Sequence, residues 1–225
     1  MAVTDQQLYN LIQYSLLESA DSGSTYLSGL YTVAEVVGRA NYRLDLFNKL
    51  TNCIVNVSDH TLTANTRDQD LSSSIAPWID VLEITITQVD TSQTIYSIPK
   101  GSQMEADSFV TDQVGSNAAV AYPYLYTLDA APILSISLLP PPSSAAGTMT
   151  VFHTPKISNL PTTPNGTALL IPDDLTPFIK FGVLADLFGD NDEANDPMRQ
   201  KVCEMIFQLG VEITKAWVSG SPMAQ

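Results

Sequence analysis

Charged side chains are scarce in this sequence, and basic ones are the scarcest. Lys and Arg number 10 against 24 Asp and Glu, and charged residues make up 15% of the chain, where roughly a quarter is usual. The net charge of −14 excludes a basic footprint that would bind nucleic-acid phosphates. Two interpretations of the acidity stay open: it serves solubility alone, or it keeps DNA mobile in a pore by like-charge repulsion.

Cysteine and histidine are equally rare, with two of each. Cys53 and Cys203 lie far apart without a C-x-x-C pair, and His60 and His153 complete no Cys/His zinc spacing. The sequence therefore predicts free, buried thiols in a reducing compartment. No metal site or other cofactor is expected.

Several motifs of enzymes and membrane proteins are also missing. The sequence has no G-x-S-x-G elbow, no G-K-S/T and no G-x-G-x-x-G, so neither a hydrolase triad nor a phosphate-binding loop is indicated. No apolar run approaches the ~20 residues that cross a bilayer. The start, MAVTDQQ, is polar and acidic, so no secretory signal is expected there. These absences predict a protein that is not an enzyme and is not a membrane protein.

What the sequence does contain is a set of amphipathic helices at its two ends. Capping boxes begin helices at Thr4 and at Thr32, and these run to about residues 19 and 56. A third helix runs from about Asp173 to Gly189, and a last one begins with Asp196 and Pro197. Its predicted core-facing stripe is Met198, Val202, Met205, Ile206, Leu209, Ile213, Ala216 and Trp217.

The middle of the chain has the alternation and turn residues of β-structure. A hairpin is predicted over 81–87 and 94–98, and further strands over 121–127, 133–139 and 148–153. Long loops are expected at 57–76 and 154–167, and a short helix at 102–109. The residues Pro140, Pro141 and Pro142 are predicted to project into solvent or onto a partner.

These patterns predict an α+β fold, in which the N- and C-terminal helices form an antiparallel bundle and the middle is an inserted antiparallel β domain. The bundle is expected to comprise residues 1–56 and 168–225, and the β-rich insertion with long loops residues 57–167. The economical partner for each set of end helices is the other set, because both must bury an apolar stripe.

An acidic turn at 190–196 imitates a calcium loop. Counted from Asp190, carboxylates occupy the first, third and seventh positions. However, Asn195 replaces the glycine of the turn and Lys201 replaces the bidentate glutamate. The turn is therefore interpreted as a helix cap, with Asp196 at the start of the last helix.

Two stretches resemble the head-to-tail adaptor (connector) proteins of tailed bacteriophages, including the tail tubular A type of short-tailed phages. They are YTVAEVVGRANYRLDLFNKLTNCI and LLIPDDLTPFIKFGVLADLFGDNDEANDPMRQKVCEMIFQLGVEITKAW. The resemblance implies a helical bundle bearing a β domain, which assembles as a closed ring, usually twelve-fold, beneath the portal protein. It implies a structural role in the virion neck, assembly in the bacterial host cytoplasm, and no catalytic residues.

The resemblance also implies sites. A C-terminal segment would dock on the portal, and its candidate residues are Ala216, Trp217, Val218, Pro222 and Met223. The loop of Pro140, Pro141 and Pro142 would face a tail or nozzle protein. The acidic excess lies mostly in the central region between Asp59 and Asp129, where Arg67 and Lys100 are the basic residues. If copies form a ring, candidates for the wall of the channel that DNA crosses, without specific binding, are Asp68, Asp70, Asp90, Glu105 and Asp107.

Two alternatives stay open. One is another phage neck or tail component, such as a stopper, a collar or a tail-completion ring. The other is a β-rich binding module with an aromatic pocket, lined by Trp78, Tyr122, Tyr124 and Tyr126.

Overall fold

The structure is a computed structural model of the 225-residue chain. It describes residues 3–16, 31–71, 78–87, 95–102, 104–105, 123–129, 135–142, 147–157, 160–161, 164–190 and 195–220. The chain divides into two compact units: a helical unit, Met1–Ile54 with Lys156–Gln225, and a β unit, Val55–Pro155.

The helical unit has helices where the capping residues predict them. They are α1 (Asp5–Ser15), α2 (Val33–Thr51), α3 (Thr176–Gly189), which follows a 3₁₀ turn at Asp173–Leu175, and α4 (Pro197–Ser219). Both predicted capping boxes form: the hydroxyls of Thr4 and Thr32 accept from the third amide, and Gln7 and Glu35 bond back. The Asp196 side chain caps α4. The α2 helix ends earlier than predicted because Asn52 takes the left-handed conformation.

One core joins the two ends of the chain. Leu8, Ile12, Val36 and Phe47 from the N-terminal helices belong to the same buried cluster as Phe207 from α4. The prediction that the end helices close against each other is therefore confirmed, as is the α+β class.

An ion-pair network around buried Arg43 links α2, α3 and α4. The Arg43 guanidinium donates to both carboxylate oxygens of Asp186 on α3, with 2.8 Å for the Nε bond. It also lies 2.9 Å from Glu204 on α4 and 4.8 Å over the ring of Phe207. Burial lowers the pKa of Arg43, but the hydrogen bonds that it donates to the two carboxylates outweigh this and raise it above its ordinary value.

The segment after the β unit packs with the helices. The N–H of Ile157 donates to Asp45 at 3.0 Å, and the N–H of Leu160 donates to Asn41 at 3.0 Å, both on α2. The sequence places 154–167 in the β insertion, whereas the structure assigns Lys156 onward to the helical unit. The two hydrogen bonds from these backbone amides to side chains of α2 tie the segment to the helices. Sequence periodicity does not reveal such hydrogen bonds, which explains the difference.

The β unit contains, among its described residues, two antiparallel sheets. One has the order β1 (Asn56–Thr61), β7 (Thr148–Pro155), β3 (Trp78–Thr87) and β4 (Ile95–Ile98). The other has the order β2 (Asp68–Asp70), β6 (Ser135–Leu139) and β5 (Leu125–Asp129). Both sheets contribute to one buried cluster. The predicted hairpin is confirmed as the β3–β4 pair.

Two predictions about the β unit need correction. The expectation of a loop over 57–76 is wrong, because β1 and β2 lie there. The three prolines after β6 do not all project: Pro140 and Pro142 are buried and Pro141 is half-buried. The N–H of Asn65 donates to the Pro142 carbonyl at 2.8 Å, which draws this segment onto the β unit.

The short helix predicted over 102–109 lies mostly outside the described residues. Its cap does form, through the hydrogen bonds that Glu105 makes with Ser102.

Candidate assembly surface

The most unusual surface of the helical unit is the outer face of α4. Six large apolar side chains recur there every three or four residues, and each is about half exposed or more, from 49% for Ile213 to 76% for Met198. We call them the α4 stripe: Met198, Val202, Met205, Leu209, Ile213 and Trp217. These are most of the residues that the sequence analysis assigns to the core, so that assignment is wrong.

The side of α4 that faces the core carries smaller residues. Its buried residues are Cys203, Phe207, Gly210, Val211 and Thr214. The glycines allow close helix packing: a Cβ on Gly182 of α3 would lie 2.6 Å from the Phe207 ring, and one on Gly210 would overlap Phe178. Burial raises the pKa of the Cys203 thiol, as it does for half-buried Cys53. Close helix approach thus explains why Gly210 and Thr214 face inward on the same side of α4 as Phe207, while the α4 stripe faces outward.

Apolar surface continues from the stripe into a cleft. Beside the first half of α4 lies an open cleft of about 450 Å³. Its lining residues come from α1, α3 and α4: Ser15, Phe181, Leu184, Phe188, Met198, Arg199, Val202 and Cys203. The stripe and the cleft therefore form one continuous apolar region on the helical unit.

One polar flank borders the stripe. On it, Lys215 pairs with Glu212 at 3.0 Å, and Glu204 pairs with Arg43. Lys201 is exposed and has no ion pair among the residues that the structure describes. The flank therefore offers a positive charge beside apolar surface.

The predicted portal-docking residues lie at the end of α4. Ala216 and Trp217 are exposed, and Val218 is half-buried. Pro222 and Met223 lie outside the described residues. Trp217 is also the last member of the α4 stripe, so the predicted docking end and the stripe share one side chain.

Exposed carboxylates distinguish the β unit. Of the predicted channel residues, Asp68 and Asp70 are exposed at alternate positions of β2, which places them on one side of an edge strand. Glu105 is exposed as well, and hydrogen bonds from the backbone and hydroxyl of Ser102 lower its pKa. Asp90 and Asp107 lie outside the described residues.

The two predicted pocket residues whose side chains the structure describes differ in exposure. Tyr126 is 1% exposed, while Tyr124, just before β5, is 57% exposed. Burial, together with the negative charges of Asp80 and Glu83, raises the pKa of Tyr126 to about 12. For Trp78 only the backbone is described, and Tyr122 lies outside the described residues. The binding-module hypothesis thus receives no support from Tyr124 and Tyr126.

Both histidines lie in β-strands, and the first and last residues of the acidic turn at 190–196 make an ion pair and a helix cap. His153 is buried in β7, and burial lowers its pKa; burial also lowers the pKa of His60 in β1. Asp190 pairs with Arg39 at 2.8 Å, and Asp196 caps α4. Within the described ranges, no group of three or more His, Cys, Asp or Glu side chains could hold a metal ion.

The comparisons with known proteins give a family. The model of the SU10 adaptor protein family matches residues 10–216, which include both units and most of the α4 stripe. The chain belongs to the SU10 adaptor protein family. It is thus a bacteriophage adaptor and a structural component of the virion. The SU10 adaptor family is structural and is not known for catalysis. Comparison with curated proteins gives no match. In the part of this SU10 adaptor that the structure describes, no helix has the length and apolarity to cross a bilayer.

Proposed function

We propose that this adaptor forms a closed ring in the virion neck, joins the portal to the tail and extends the channel through which DNA passes. The observation that carries the proposal is membership of a phage adaptor family over residues 10–216. The exposed α4 stripe supports it as an apolar surface available for contacts. Exposed apolar patches of this kind mark interaction surfaces. Assembly in the bacterial host cytoplasm is part of the proposal.

Ring closure requires contacts between copies. A head-to-tail contact whose rotation closes gives a cyclic ring, and the expected number of copies is twelve, as the resemblance implies. Charged residues are few, at 15% of the chain. Fewer charges therefore need to lose their hydration when copies pack side by side.

Passage of DNA requires a surface that does not bind it. The chain carries −14 charges, and exposed Asp68, Asp70 and Glu105 add negative charge on the β unit. We assign these three to the channel wall, where repulsion from DNA phosphates would keep the genome mobile. Glu105 is ionised at neutral pH, as an exposed carboxylate is.

The two ends of the ring need different partners. We assign the exposed end of α4, with Ala216 and Trp217, to the portal protein. The proline segment at 140–142 is assigned to a tail or nozzle protein, with half-buried Pro141 as its most accessible member.

A portal-capture assay tests this function. Portal protein of the same phage is immobilised, and the full chain is compared with a chain truncated after Lys215 and with Trp217→Ala. Tyr42→Ala is the matched control, because Tyr42 is an aromatic residue of similar exposure on α2, 59% against 60%. We expect capture of the full chain and of the control, and loss of capture for the truncated chain. Equal capture of all four proteins would reject the assignment of this end.

A further inference from the structure

We propose that the α4 stripe, from Met198 to Ile213, is the surface through which one copy of this chain binds a second copy; its last member, Trp217, stays assigned to the portal. The inference depends on the ring assembly proposed above and specifies the surface that makes it. The occupant is a second copy, and the reasons are the size of the stripe and the charge beside it.

The stripe has the dimensions of a protein–protein contact. From Met198 to Ile213 it runs for about 22 Å at the helical rise of 1.5 Å per residue. Five large side chains that are about half exposed or more offer an area on the order of several hundred Å², the range at which apolar patches are functional. A stable interface needs about 800 Å² from each partner. The stripe and the adjoining cleft supply a large part of that area.

Charge favours a second copy as the occupant. Lys201 lies exposed beside the stripe and makes no ion pair among the described residues. A second copy brings 24 acidic side chains against 10 basic ones, so its surface readily supplies a carboxylate for Lys201. Elsewhere the acidity of the chain makes copies repel each other. The α4 face thus combines apolar area with the sign of charge that another copy attracts.

The test uses the full-length chain in sedimentation equilibrium and native mass spectrometry, with and without the portal protein. Leu209→Glu and Met205→Glu place a carboxylate in the middle of the stripe. Tyr42→Glu is the matched control, because it adds the same charge at a large side chain of similar exposure on α2, 59% against 56% for Leu209. We expect the wild type to associate beyond the monomer. We expect the stripe variants to raise the dissociation constant for self-association by about 30-fold or more. For the control variant, this dissociation constant should stay within about threefold of the wild-type value, a difference of less than about 1 kcal/mol.

A second variant covers the case in which a stripe variant loses its fold, which circular dichroism would reveal. Lys201→Glu changes only the exposed flank. We expect it to weaken self-association several-fold and to reduce the dependence of association on salt. Unchanged association of Lys201→Glu and of folded Leu209→Glu would overturn the inference.

The outcomes separate this inference from the proposed function. If folded Leu209→Glu still forms rings, the α4 stripe is not the surface between copies. The proposed ring function then remains. Stripe variants that lose portal capture but keep self-association make the stripe a portal surface, which also overturns the inference. A wild type that stays monomeric with and without portal rejects both.

Discussion

The buried Arg43 network provides the sharpest test of how the two ends of the chain are held together. In Arg43→Met the apolar stem is largely kept, while the guanidinium that bonds Asp186 and pairs with Glu204 is lost. The Asp186 side chain is 15% exposed and would remain buried without its cation. Removing one partner of a buried pair costs about 3–5 kcal/mol. We expect about 3 kcal/mol, because Glu204 is 37% exposed and partly hydrated.

Arg39→Met is the matched control. Arg39 lies one helical turn earlier on α2 and pairs with Asp190, but these side chains are 44% and 35% exposed. A pair of this kind contributes about 0–1 kcal/mol. Urea unfolding followed by far-ultraviolet circular dichroism gives both free energies of unfolding from the midpoint and slope. If the two variants lose the same free energy, below about 1 kcal/mol, the network does not hold the core and the reasoning is refuted.

Three further predictions concern stability. A methyl group at Gly210 would overlap the aromatic ring of α3 that packs there, so Gly210→Ala should lower the free energy of unfolding by about 1–3 kcal/mol. Gly38→Ala on α2 has open space and should be neutral or stabilising by up to about 1 kcal/mol; a Gly210→Ala chain as stable as this control would contradict the packing. Burial lowers the pKa of His153 and of His60; the unfolded chain therefore binds more protons, and stability should be full above about pH 6.5 and fall as the pH drops below it. Urea midpoints measured across this range should show that fall, with a smaller one in His153→Gln; a flat profile would exclude a neutral, buried histidine. The buried Asp5 carboxylate accepts hydrogen bonds from the backbone of residues 165 and 166, so Asp5→Ala should cost about 1.5–3 kcal/mol in thermal or urea unfolding, and an unchanged midpoint would contradict that role.

The sequence predicts the helices well because their ends are local. The Thr4 and Thr32 boxes and the Asp196–Pro197 start each satisfy backbone amides within three or four residues. No distant contact is needed to form them, so the local pattern is sufficient. The β3–β4 hairpin follows for a similar reason, since both strands alternate and lie close together in the chain.

The edge strands could not be found in this way. The β1 strand reads Asn-Val-Ser-Asp-His-Thr, and none of its residues is fully buried. The β2 strand has only three residues, with Gln69 buried between two exposed aspartates. The β1 strand forms because it pairs with β7, and β2 forms because it pairs with β6. Both partner strands come from a distant part of the sequence, which a local pattern does not show.

The orientation of α4 was also beyond a periodicity argument. The helix carries apolar residues around most of its circumference, so periodicity alone does not select the face that is buried. Close packing selects it: Gly210 admits Phe178, and small Thr214 continues the same side. The large side chains of the α4 stripe are left outside. A glycine inside a long amphipathic helix is the one signal that could have indicated the buried side.

Electron cryomicroscopy of the neck in intact virions tests the central claim most directly. We predict a closed ring of copies of this chain directly against the portal, with the α4 stripe of each copy covered and carboxylates of the β unit lining the channel. A neck in which this chain is present as single, separate copies, or is absent from the portal–tail junction, would contradict it.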